Sequence, residues 1–122
     1  MKLINDFFEV IALTPSEGEL RCKVKFNPEH FIYKAHFPGN PITPGVCLMQ
    51  MGEELLEQKN GQQLQLSTVK SIRFKKIVGP NDMPTFTFTK EVLNEGRLSV
   101  EVAIADAEGE FVTMVLQYQV EA

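Results

Sequence analysis

From His36 to Leu56 the chain reads HFPGNPITPGVCLMQMGEELL, a stiffened loop that runs into the one long stretch with helical spacing. On either side of it, apolar residues recur at every second position. One helix among strands joined by short turns calls for an antiparallel sheet with the helix packed on one face, an α+β arrangement.

The loop is preorganised. Pro38, Pro41 and Pro44 fix three φ angles, while Gly39 and Gly45 permit conformations or close approaches that a side chain would block. Thr43 followed by Pro44 is a helix-start signature, with threonine as N-cap and proline at the first helical position. Gly45 and Val46 then hold the second and third positions, where amides point out of the helix end with the positive pole of the dipole behind them. One is expected to be taken by the Thr43 hydroxyl, leaving the other for an oxygen that gains negative charge during a reaction. The helix is predicted to end near Lys59, with Gly61 as its stop signal.

On a 3.6-residue period Leu48, Met51, Leu55 and Leu56 share one side, and Gln50, Glu53, Glu54 and Glu57 cluster on the other. For Glu53 and Glu57 a solvated face is the expectation. Gln50 lies between Met49 and Met51, from where it can project toward the loop that carries His36. Gly52, on the apolar side, is expected to let the sheet backbone come close.

The strands follow in order. Phe7 to Ile11 is an apolar run that places a first strand within Met1 to Leu13, with room for a helical turn ahead of it, before the turn cluster Thr14 to Gly18. Leu20, Cys22, Val24 and Phe26 then alternate with Arg21, Lys23 and Lys25, the clearest period of two in the chain. Asn27 to Ala35 reads as a polar connection in which His30 is solvated and has no role. After the helix, Leu64 to Val78, Thr85 to Leu93, Leu98 to Ile104 and Val112 to Val120 are predicted strands. Gly79 to Asp82, Asn94 to Gly96 and Asp106 to Gly109 are turns.

A chain of 122 residues fits one domain spanning 1–122. With 43% hydrophobic and 23% charged residues it has the balance of an ordinary globular protein rather than a disordered or membrane one. A net charge of −4 without a Lys/Arg stripe argues against nucleic acid. Cys22 and Cys47 match no metal or disulfide spacing, and neither a leader nor a long apolar run is evident, so a reducing cytoplasm and no membrane span are expected. Cys22 reads as packing. Cys47, early in the helix, is a core residue or, less in keeping with its apolar setting, a nucleophile beside His36.

The segment His36-Phe37-Pro38-Gly39, then Pro41, then Pro44-Gly45-Val46, resembles the active-site segment of the 3-hydroxyacyl-acyl-carrier-protein dehydratases of type II fatty acid synthesis, which have the hot-dog fold. Ile72 to Lys76 with Pro80-Asn81-Asp82 resembles the strand and turn after that family's helix, and the approach from Phe7 to Phe37 fits its N-terminal part. The likeness spans the chain. It implies an antiparallel sheet wrapped around one long central helix, and no cofactor or metal. It implies two subunits or an assembly of such dimers, with the histidine of one subunit facing the helix of the other along an acyl tunnel. The implied substrate is an acyl-carrier-protein or coenzyme A thioester. Docking an acidic carrier requires a basic patch, for which Arg73, Lys75, Lys76 and Lys34 are candidates, although lysines also guard exposed strand edges.

The sequence departs from the family at one place. Where the family has a carboxylate after the motif histidine, this chain has Gln50, and where the family commonly has a glutamine one turn on, it has Glu54. Those two positions lie about 6 Å apart along the axis at 1.5 Å rise per residue. The resemblance implies that neutral His36 removes the C2 proton of the substrate, that the Gly45 or Val46 amide receives the thioester oxygen, and that the carboxylate protonates the departing hydroxyl. With Gln50 in that place, three outcomes stay open: Glu54 takes over, His36 serves as both base and acid, or activity is weak or absent. The corresponding alternatives to a dehydratase are a non-catalytic acyl-thioester-binding subunit of a heteromer and a hot-dog thioesterase.

Overall fold

Side chains in Glu19–Phe26 alternate without exception: Leu20, Cys22, Val24 and Phe26 are buried, and Arg21, Lys23 and Lys25 are exposed. The same rule governs Arg97–Asp106, where Leu98, Val100, Val102 and Ile104 turn inward. In the computed structural model, which describes residues 2–35 and 39–121, these become β2 and β5. Around them lie β1 (Phe8–Ser16), α1 (Phe31–Ala35), α2 (Gly45–Asn60), β3 (Leu64–Phe74), β4 (Thr85–Asn94) and β6 (Gly109–Val120).

The strands form one antiparallel 6-stranded sheet in the order β1-β2-β4-β5-β6-β3. Between β4 and β5 the chain reverses at Glu95 and Gly96, whose φ angles of 52° and 76° are those of a type I′ hairpin turn. Helix α2 lies on one face. Its Leu48, Met51, Leu55 and Leu56 join Phe86, Phe88, Val102, Met114, Leu116 and Tyr118 in a single buried cluster. Leu56 and Met51 are 0% exposed, so truncating either to alanine costs about 2–5 kcal/mol.

Several boundaries differ from the sequence reading. β1 runs through Pro15 to Ser16, because it is an edge strand and proline is tolerated where no neighbour needs its amide. The connection after β2 folds into α1 instead of staying irregular. β3 stops at Phe74, where the Lys75 and Lys76 amides turn to the Phe111 carbonyl. Beside Gly52 the nearest atoms are side-chain ones, Tyr118 Oη at 3.7 Å and Phe88 Cε1 at 3.9 Å from a built Cβ, so it is side chains and not sheet backbone that approach there.

Helix α2 begins one residue later than the Thr43-Pro44 signature suggests. Pro44 is the N-cap, in extended conformation, and no side chain caps the helix. At the other end Gly61 closes it as expected, with φ 65° and its amide donating to the Glu57 carbonyl at 2.9 Å.

Candidate active site

The N-terminal approach to the loop is built on Phe7. Its fully buried ring packs edge-on against His30 at 5.2 Å and lies 5.3 Å from Tyr33. His30, on which Phe31 also stacks at 4.8 Å, is thereby buried, contrary to the solvated role expected for a histidine in a polar connection. Its Nδ1 accepts the Ile32 amide at 3.2 Å, which leaves Nε2 as the protonated nitrogen, donating to Asp6 Oδ2 at 3.1 Å. The imidazole thus caps α1.

Tyr33, in the middle of that short helix, hydrogen-bonds Thr43 through its hydroxyl at 2.8 Å, both groups being buried. The bond closes the base of the loop between them. His36, Phe37 and Pro38, the candidate base among them, lie outside the described residues.

With the Thr43 hydroxyl engaged by Tyr33, its expected capping of α2 does not occur. The Pro44 carbonyl accepts from Cys47 at 3.0 Å and Leu48 at 3.2 Å, so pairing within the helix starts at Cys47. Gly45 and Val46 are therefore the first two helical residues, and the helix supplies no acceptor for their amides. Both line a cleft of ≈ 610 Å³ together with Ile42, Pro44, Leu48, Phe74, Ile77, Val78 and Val112. Phe74 covers Gly45 closely: a Cβ there would meet the ring at 2.8 Å.

Further along α2, Gln50 is half-buried and Glu54 is 2% exposed. Glu54 Oε1 accepts the Leu3 and Ile4 amides at 3.0 and 2.8 Å, while Oε2 accepts Leu3 at 2.8 Å and Gln50 Nε2 at 2.9 Å. The two exchanged residues are thus brought together, and the carboxylate is committed to backbone from the start of the chain. Glu53 and Glu57 are not a solvated face. They accept the Leu66 and Leu64 amides of β3, at 3.1 and 2.9 Å. Burial pushes the Glu53 carboxyl above the ordinary glutamate value, only partly opposed by the Leu66 bond.

Cys47 is buried, and burial raises its thiol pKa, which is the reverse of what a nucleophile needs. Of the basic residues, Lys75 pairs with Glu110, and Lys76 lies 3.7 Å from Asp106 and over the Phe111 ring at 4.4 Å. Among the described residues no group of three or more His, Cys, Asp or Glu is arranged to hold a metal ion, and no helix is long and apolar enough to cross a membrane. The sequence reading missed Tyr33 and the Leu3-Ile4 backbone. A tyrosine three residues before a motif loop carries no spacing signal, and backbone amides carry none at all.

Residues 12–114 match the family model of the ApeI dehydratases. The chain is 32% identical over 109 residues to the 3-hydroxyacyl-[acyl-carrier-protein] dehydratase FabZ of Latilactobacillus sakei subsp. sakei (strain 23K), covering 83% of this chain and 76% of that protein. It is 32% identical over 108 residues to FabZ of Lactobacillus helveticus (strain DPC 4571), covering 80% and 72%. Among solved structures it is similar to the dehydratase heterocomplex ApeI:P from Xenorhabdus doucetiae, with a TM-score of 0.71 at 14% identity over 90% of this chain and 96% of that one. A hypothetical thioesterase with coenzyme A from Streptococcus pneumoniae TIGR4 gives 0.66 at 13% identity over 98% and 92%. At such identities these structures speak to the fold alone, and that fold is the hot-dog arrangement of a sheet around one helix.

Proposed function

The chain belongs to the ApeI-like dehydratase family and is a 3-hydroxyacyl-acyl-carrier-protein dehydratase-like protein; from that premise we propose that it eliminates water from a 3-hydroxyacyl thioester to give a 2-enoyl thioester. The observation that carries this reading is the uncapped start of α2 on an apolar cleft, directly after the proline-clamped loop. Amides held there without reorganisation suit an oxygen that becomes negative only as the reaction proceeds. Gly45 and Val46 receive the thioester oxygen in this scheme, and the apolar cleft receives the first part of the acyl chain.

His36, as a neutral imidazole, takes the C2 proton. The charge moves onto the thioester oxygen, the C3–O bond breaks, and the hydroxyl needs a proton to leave as water. Gln50 has none to give, and both oxygens of Glu54 already accept N–H groups. His36 therefore returns the proton it took. A separate general acid is commonly worth about 10²- to 10⁴-fold, so turnover below that of an enzyme with a carboxylate at the Gln50 position is expected.

We further propose a dimer joined through the open edge of β3, a carrier-protein or coenzyme A thioester as substrate with Lys34 and Arg73 as candidate docking cations, and a cytoplasmic setting, which fits two unpaired buried cysteines. The test is conversion of a 3-hydroxyacyl carrier-protein thioester into its 2-enoyl product by the purified protein. His36→Ala is expected to remove at least about 10²-fold of the rate, and wild-type turnover no better than that variant rejects the proposal.

A second reading rests on Gln50 itself. An amide in the acid's place suits a subunit that binds the acyl thioester and completes the site of a related partner. Purification from the native host separates the two: a stable complex with a second hot-dog chain supports the subunit, and active homodimers dismiss it.

A further inference from the structure

The face of the sheet turned away from α2 carries a hollow of ≈ 530 Å³ that the dehydration scheme does not use. Two cations stand on it. Leu20, Cys22 and Val24 point inward on β2, so Arg21 and Lys23 point out on one side, about 6.7 Å apart at the rise of an extended strand. The antiparallel register sets hydroxyls beside them: Arg21 lies between Thr14 of β1 and Thr87 of β4, and Lys23 has Thr85 of β4 opposite it. All five side chains line the hollow. Glu19 accepts from Arg21 Nε at 2.9 Å, which fixes the guanidinium plane and leaves its two NH2 groups to fork onto a ligand. Among the described residues, neither Lys23 nor any of the three threonine side chains is engaged in an ion pair or side-chain hydrogen bond. The acids nearby are already committed. Glu101, in the row beyond Arg21 and Thr87, pairs with Lys90 at 3.1 Å. Asp106, the acid on the lining, accepts the Glu108 amide at 2.9 Å and lies 3.7 Å from Lys76.

We propose that this hollow binds a small molecule bearing a diphosphate, as the nucleoside diphosphate portion of a free nucleotide or of coenzyme A. Two cations two residues apart match two linked anionic groups better than they match one phosphate, and the hydroxyls between them meet the remaining lone pairs of the phosphoryl oxygens. In a chain of net charge −4, a basic, hydroxyl-lined hollow runs against the sign of the whole. Met83, 46% exposed on the same lining, offers an apolar surface to the base. The hollow is distinct from the cleft at the start of α2, and the Lys76–Asp106 pair stands between them, Lys76 lining the cleft and Asp106 the hollow. A free nucleotide would act from outside the cleft, whereas coenzyme A would lay its arm over that pair. Binding of the diphosphate itself does not depend on the dehydratase reading.

Calorimetry on the purified protein at low salt tests this, with inorganic phosphate, pyrophosphate, ADP and coenzyme A as probes. Pyrophosphate and ADP are expected to bind about tenfold or more tightly than phosphate, with affinities that fall as salt is raised. Arg21→Ala and Lys23→Ala are each expected to weaken ADP about tenfold or more, and Thr87→Val severalfold. Both cations are exposed, so their variants should keep the wild-type urea midpoint, as surface changes do. The two sources separate on one comparison. If Arg21→Ala weakens coenzyme A as much as ADP and raises the KM for a coenzyme A thioester, the hollow holds the nucleotide end of the substrate. If it weakens ADP and leaves that KM unchanged, the hollow holds a free nucleotide. A wild-type protein that binds neither pyrophosphate nor ADP, or an Arg21→Ala, Lys23→Ala double variant that binds them undiminished, overturns the proposal and leaves the dehydratase reading standing. Absence of dehydration in a protein whose ADP binding is lost with Arg21 overturns that reading alone.

Discussion

Thr43 shows how a single hydroxyl decides between stability of an element and availability of a site. Left alone it would cap α2, as the Thr43-Pro44 pair suggests; Tyr33 instead holds it at 2.8 Å, and the helix begins without a side-chain cap. Burial pushes the Tyr33 phenol up to about 12, so it stays protonated across the working pH range. Tyr33→Phe leaves a buried hydroxyl without its partner and is expected to cost about 1–3 kcal/mol in urea denaturation. Adding Thr43→Val should recover most of that, since removing both partners is far cheaper than removing one. An unchanged denaturation midpoint in Tyr33→Phe would mean the bond is not formed. Gly45 is the other telling residue. A methyl there meets the far end of the Phe74 side chain, which is 57% exposed and able to swing aside. Gly45→Ala should therefore alter stability by less than about 1 kcal/mol, as for a surface change, yet raise the KM for an acyl thioester severalfold by disturbing the cleft mouth. His30 marks the limit of legibility at this scale. It follows the polar run Asn27 to Glu29, and it is covered by Phe31, which stacks on it at 4.8 Å, together with Phe7, 23 residues earlier in the chain.

At the scale of elements, the alternating strands were legible because a period of two is a direct image of one buried face: β2 and β5 match their patterns almost residue for residue, β6 does so from Val112 to Tyr118, and β4 only as far as Thr89, where the register shifts and the rest of the strand is exposed. The polar face of α2 was not. Helical spacing says that Glu53 and Glu57 share a side, but not that the first residues of an edge strand would lie beside it and need acceptors for the Leu64 and Leu66 amides. The arrangement carries an electrostatic cost, since Glu53 is desolvated and stands near Glu57 and Glu54, and its carboxyl is raised above the ordinary value. The sign follows directly. A carboxyl that binds its proton more tightly in the folded state favours folding below the unfolded value, about pH 4.3, and loses that contribution as pH rises through the folded value. Glu53→Gln keeps an oxygen for Leu66 while removing the charge. Its urea midpoint at pH 7 is expected to be equal to or above that of wild type, with the advantage shrinking as pH falls through 4. A variant that is less stable at pH 7 and regains stability in acid would contradict this account.

For the molecule as a whole, the question is what happens at the two edges of the sheet. β1 and β3 both carry register shifts, devices that blunt an edge against uncontrolled pairing. At the start of β3 the glutamates of α2 already occupy amides, so the part of the strand left for a neighbour is its later half, from Thr68 to Phe74. At its end stands Phe74 and beyond it Ile77, 57% and 62% exposed, with Val46 at 68% across the cleft. Such large apolar groups gathered at one mouth are what a shared channel would cover. His36 lies outside the described residues; its loop motif is the strongest signal in the chain, and the residue facing it belongs, on the proposed reading, to another copy. In a twofold interface any new charge near the axis meets its own image. Val69, in the open half of β3 and 40% exposed, is therefore a sensitive probe. Val69→Glu is expected to shift the protein from dimer to monomer in sedimentation velocity and to lower dehydration at least tenfold. Its far-ultraviolet dichroism should not change, because the side chain contributes little to the core of its own subunit. A monomeric wild type, or a Val69→Glu monomer with undiminished turnover, would place the whole site within one chain and remove the reason for joining the sheets at β3.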